Sequence, residues 1–117
     1  MNEDKEFHLR ILDELCNLGC DIGNVNKRHI IYYPIKVSFP GNRFTLSFPK
    51  NNIDNEIICR FEINEIDKKF LYKNVDKFKK KEFTYQVSYQ GLKEIKTSFT
   101  YEISYPDLKE ILFSVKK

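Results

Sequence analysis

Three cysteines and two histidines are the residues of this chain best suited to metal or nucleophile chemistry. Cys16 and Cys20 are spaced C-x3-C, and His29 follows within "NVNKRHI". Thiolates and imidazole hold zinc well, but structural zinc takes two tight ligand pairs, and a second pair is missing. Cys16 falls on a predicted helix and Cys20 just past its end, which is also where small buried thiols sit. A Cys–His nucleophile would need an Asp or Asn to orient the imidazole, and no spacing singles one out. The four glycines, at 19, 23, 41 and 91, are scattered, so no Gly-rich loop cradles a phosphate. The expectation is no catalytic residue, no metal and no cofactor. The chain does not read as an enzyme.

Charge points to a binding role instead. The 117 residues carry a net charge of +3, unevenly spread. Residues 1–26 hold two basic and six acidic side chains, whereas 27–60 hold six basic and two acidic, and 61–81 seven and four. A basic middle can attract nucleic acid or an acidic partner. The same lysines fit a solvated face in an AT-rich genome, since Lys, Ile, Asn, Phe and Tyr are abundant and Ala and Trp are absent. "EIDKK" (65–69) resembles the acidic-x-Lys element of metal-dependent nucleases. Yet Glu65 and Asp67 also suit the first turn of a helix, where the dipole favours acids.

Hydrophobic periodicity supplies the elements that position these residues. Phe7, Ile11, Leu12, Leu15 and Leu18 recur at helical spacing over 3–18, and Gly19 suits a left-handed stop. "IKVSFPGNRFTLSF" (35–48) reads as a hairpin. Pairing Phe39 with Phe44 carries Val37 onto Leu46 and Ile35 onto Phe48, with Gly41-Asn42 as the loop. Residues 56–63 alternate with Ile57, Cys59, Phe61 and Ile63 inward. The period then becomes helical over 64–81, with Asn64 as cap, Ile66, Phe70, Val75 and Phe78 as stripe, and lysines at the C-terminal end. Residues 83–89 and 94–105 return to period two. Phe83, Tyr85, Val87 and Tyr89 would face inward with Ile95, Phe99, Tyr101 and Ile103 if a three-residue loop surrounds Gly91. Leu108, Ile111, Leu112 and Val115 match a helix, although "ILFSV" also alternates as a strand.

The fold expected is a single α+β domain over 1–117. It has an antiparallel sheet of about five strands, helices packed on one face, and the order α-β-β-β-α-β-β-α. Over 3–81 the order α-β-β-β-α resembles that of double-stranded-RNA-binding domains. Their basic helix opening would map onto Lys68, Lys69 and Lys73, but the small residues that follow in that family are absent here. The full order resembles that of the small dimeric chaperones of bacterial type III secretion, which implies a dimer that binds protein.

Three free cysteines without framework spacing suit a reduced, cytoplasmic chain. "MNEDKEF" lacks the apolar core of a signal peptide, and no run reaches the ~18 residues that span a bilayer. The function expected is a small protein-interaction module, an inhibitor or antagonist of the kind a phage or mobile element of a low-GC host encodes. The alternatives are a nucleic-acid-binding domain using the basic middle and a secretion-chaperone-like dimer. Candidate binding residues are Tyr32, Tyr33, Tyr72 and Tyr105, near element ends where interface anchors occur, and Lys77, Lys79, Lys80 and Lys81. The partner expected is a protein, with nucleic acid second, no membrane, and a homodimer compatible with the pattern.

Overall fold

The computed structural model describes residues 2–23, 35–51 and 53–116 of the chain, with side chains from Glu6 to Val115. Helix α1 spans Asn2–Asn17 and ends as its sequence predicts. Gly19 takes φ +93°, and the Cys20 N–H donates to the Leu15 carbonyl at 3.0 Å, closing a Schellman cap. Strands β1 (Asp21–Ile22), β2 (Ile35–Phe39), β3 (Asn42–Ser47) and β4 (Ile58–Glu62) follow. Helix α2 (Lys68–Lys73) precedes β5 (Lys79–Tyr89), β6 (Leu92–Ser104) and α3 (Tyr105–Lys116). The six strands of the described residues form one antiparallel sheet in the order β1-β2-β3-β4-β6-β5. The fold is α+β, and the strand beyond the expected five is the two-residue β1.

One core cluster joins the sheet to the helices. Ile35, Val37, Phe44, Leu46, Cys59, Phe61 and Ile103 share one face by register, and they cluster with Ile11, Leu12 and Leu15 of α1 and Leu108, Ile111 and Leu112 of α3. The tail is therefore a helix, although its Val115 is exposed.

The β2–β3 hairpin keeps its predicted faces but pairs two residues away from the expected register. Val37 lies opposite Phe44 and Phe39 opposite Asn42, so the loop is Pro40-Gly41. Proline presets the first turn position and Gly41 supplies φ +82° at the second, a better match to turn chemistry than Gly41-Asn42. A slide of two residues leaves every side chain on its own face. Phe48 falls past the strand and stacks on His8 of α1, ring centroids 3.8 Å apart.

The helix expected over 64–81 is cut to six residues. Asp67, not Asn64, caps it, accepting from the Phe70 N–H at 3.3 Å. Asn74 stops it: its side chain donates to the Phe70 carbonyl at 2.9 Å, the local competition by which Asn ends helices. Lys79, Lys80 and Lys81 then enter β5 opposite Glu102, Tyr101 and Thr100. Val75 and Ile63, both expected inside, are exposed.

Asn42 holds these parts together. Buried at the start of β3, it accepts from the Asp67 N–H at 2.7 Å and donates to the Pro40 carbonyl at 3.2 Å. Asn42→Ala leaves both partners short of a bond and is expected to cost about 2 kcal/mol, read as a lower urea midpoint with an unchanged slope.

Candidate functional site

Several of the described groups suited to metal or nucleophile chemistry are taken into the core. Cys20 and Cys59 are buried and Cys16 is exposed, all as free thiols. Burial, helped by the nearby Cys16 and Asp21, pushes Cys20 up to about 11, and burial likewise raises Cys59 far above the usual thiol range. His29 lies outside the described residues, and His8 is buried against Phe48. Among the described residues, no group of three or more His, Cys, Asp or Glu side chains gathers as a metal site would. Glu65 faces Arg43 at 3.7 Å and Asp67 caps α2, so "EIDKK" serves the local structure.

Tyr105, an expected surface anchor, is instead fully buried at the start of α3. Its hydroxyl donates to Glu14 Oε2 at 2.5 Å, and Lys109 Nζ lies 3.3 Å from the same oxygen. Burial alone would raise the Glu14 carboxyl, but the Tyr105 hydrogen bond and the Lys109 and Arg10 charges outweigh it and hold the group below its ordinary 4.5. The Tyr105 phenol moves the other way, raised by burial and by donating to a carboxylate. Beside this contact a cleft of about 370 Å³ opens between α1 and α3, lined by Leu18, Pro106 and Phe113. Of its charged lining groups, Glu14 pairs with Lys109, and Glu110 pairs with Lys77 outside the cleft.

Of the four candidate lysines, Lys77, Lys79 and Lys81 line one open pocket together with Glu102 and Asp107, and Lys80 stands apart. Lys79 and Lys81 point to one side of β5 and Lys80 to the other, as strand alternation requires. Lys77 lies 3.6 Å from Glu110, and Lys80 sits 4.4 Å above the Phe99 ring. Lys79 shares a row with Glu102 and Arg60, whose ion pair at 3.0 Å belongs to the same face. Tyr72 is exposed on α2, while Tyr32 and Tyr33 lie outside the described residues.

The feature that sequence reasoning missed is the β5–β6 ribbon. β6 pairs with β4 only over Thr100–Ser104, whereas it pairs with β5 along eleven rows from Lys79–Glu102 to Tyr89–Leu92. Residues 92–99 therefore project roughly 25 Å past the body as a two-stranded arm. The radius of gyration, 15.9 Å, exceeds the ~13 Å usual for this length for the same reason. The turn is two residues, not three, so the apolar sets separate. Phe83, Tyr85, Val87, Tyr89 and Leu92 share one face, and Ile95 and Phe99 share the other. Phe83, Tyr85, Tyr89, Leu92 and Ile95 remain 44%, 46%, 71%, 73% and 76% exposed. The outer face thus carries three aromatics, Phe83, Tyr85 and Tyr89, all expected to face inward.

No protein-family model matches the chain, and no curated protein or solved structure matches it significantly. The site is therefore read from its own chemistry. No described helix is long and apolar enough to cross a membrane.

Two measurements check this assignment of groups. A thiol reagent should label Cys16 in the folded protein and reach Cys20 and Cys59 only on unfolding, as intact-mass spectrometry would count. For Glu14, the lowered carboxyl pKa adds stability above 4.5 that is lost as pH falls through the folded value. Tyr105→Phe removes the main group holding that pKa down. It should start about 1 kcal/mol less stable at neutral pH and lose less on acidification, as urea melts across pH 3–7 would show.

Proposed function

We propose that this chain is a non-enzymatic protein-interaction module that binds through the β5–β6 ribbon. The observation carrying this reading is the exposure of five large apolar side chains on both faces of one projecting element. Single exposed apolar residues are ordinary on a protein surface. A contiguous set on an arm that adds little to the core is the mark of a surface built to be covered. Tyrosines serve well there, since a rigid ring with a polar tip gains contact area at little entropic cost. The ribbon also ends the sheet, so β5 offers main-chain donors and acceptors to an added strand. Inhibition or antagonism is the natural outcome of such binding, by occupying a partner's surface.

Nucleic-acid binding has less support. A platform for single strands combines aromatics with a basic track, and Phe83 and Tyr85 do continue from Lys79 and Lys81. That track is broken by Glu94, Glu102 and Arg60's pairing with Glu102, and Leu92 and Ile95 offer nothing to a base.

The discriminating experiment immobilises the protein and captures ligands from host extract, with and without nuclease. Tyr89→Ser/Leu92→Ser/Ile95→Ser should abolish capture while keeping the wild-type melting temperature, and Lys79→Gln/Lys81→Gln should retain it. Capture that is destroyed by nuclease, and that weakens with salt by about 0.9 log units per phosphate contact, would overturn the reading.

A further inference from the structure

The open edge of β5 indicates what covers it. Residues 83–89, "FTYQVSY", contain no charge, and the ladder to β6 crosses them without bulge or proline. Every second residue of β5 thus turns its N–H and C=O to an edge that is unpaired among the described residues. Proteins usually blunt such edges with charge, proline or a bulge, and this one has none of the three over seven residues.

The segment is also nearly symmetric in chemistry read from either end. Laid antiparallel on itself about Gln86, it sets Phe83 against Tyr89, Thr84 against Ser88, Tyr85 against Val87 and Gln86 against its own copy. Ring meets ring, hydroxyl meets hydroxyl, and no charge stands in the seam. Each pairing joins residues of equal parity, so faces are preserved and the apolar face continues from one ribbon to the next. One strand back, Glu94 shares a row with Val87 and Lys96 with Tyr85. Glu94 of one copy and Lys96 of the other then flank each Val87–Tyr85 pair with opposite charges. Lys79, Lys80 and Lys81 fall beyond the other copy's turn, whereas parallel pairing in register would stack them on their counterparts.

We propose that the occupant is a second copy of this chain, with β5 joined to β5 antiparallel about a two-fold axis at Gln86. Such a seam is isologous, since each residue meets the residue that meets it. The inference rests on the ribbon's being the binding element, and it names the partner.

The test uses the full chain in a Cys16→Ser background. Gln86→Cys should form a covalent dimer on mild oxidation. Thr84→Cys should not, because its counterpart lies about 14 Å along the seam, beyond disulfide reach. Sedimentation should find the wild-type chain dimeric. Gln86→Lys, an exposed change that sets two ammonium groups face to face, should weaken the dimer by about tenfold or more while the monomer keeps the wild-type circular dichroism. Mixing it with Gln86→Glu should restore association. A monomer at every concentration, a dimer indifferent to Gln86→Lys, or equal cross-linking through Thr84→Cys would each overturn the proposal. A monomer whose ribbon still captures another protein overturns the second copy alone. Capture untouched by Tyr89→Ser/Leu92→Ser/Ile95→Ser overturns the ribbon as the binding element.

Discussion

The two central residues of the β5–β6 turn, Gln90 and Gly91, both take positive φ, 51° and 82°. A two-residue loop with both angles positive twists the way two antiparallel strands twist, so it closes a long regular ladder. Gly91 adopts the angle freely, and Gln90 does so at a cost of roughly 1 kcal/mol. The rest of the ribbon follows from that turn. Tyr89 must face Leu92, and from there the alternation sends Phe83, Tyr85 and Val87 to one side and Ile95 and Phe99 to the other. A loop one residue longer would have gathered them on a single face. The ribbon cannot then be buried by the body's own core, because one layer of helices covers one face at most.

The body is fastened by contacts far apart in the chain. Glu14 and Tyr105, separated by 91 positions, meet where α1 and α3 close over the sheet. Asn42 fixes the β2–β3 turn to the start of α2, 25 positions away. Both contacts are hydrogen bonds of partly buried groups, where geometry matters more than area. Aromatic packing completes the inner end of the ribbon. Phe61 touches Phe39, Phe44, Phe70 and Phe78 edge-on or tilted, with centroids 5.0–6.4 Å apart. β6 leaves this cluster at Tyr101 and continues outward, so a tightly packed base carries a thinly packed arm.

Much of the body is legible in the residues themselves, because burial there obeys one period at a time. The stripe of α1, its Gly19 stop, the inward Cys59 and Phe61, and the helical tail all follow from spacing and caps. The β2–β3 register is legible only modulo two, since period two says nothing about which of two equivalent pairings the turn prefers. Residues 64–81 mislead because Phe70, Val75 and Phe78 imitate a helical stripe, while the decisive event is one side-chain bond from Asn74. The ribbon proposed to bind is the least legible part. Alternation is ordinarily evidence of a buried face, so Phe83 through Tyr89 read as core, and only Gln90-Gly91 signals that they belong to an arm. Tyr105 fails the opposite way: a tyrosine before proline at an element boundary looks exposed, and a single carboxylate makes its burial feasible.

The opposite end of the sheet bears on the same matter from another side. Its last strand, β1, consists of Asp21 and Ile22 alone among the described residues, with Asp21 exposed. Two residues offer too few main-chain groups to template another chain, and an acid beside them discourages the attempt. Among the described residues, strand addition would thus find a long edge at β5 and only a short one at β1. The dimer proposed at β5 would spend both long edges on each other and leave only these short described ends, so it would close as a pair and not propagate into fibrils, the fate an uncharged aromatic edge would otherwise invite.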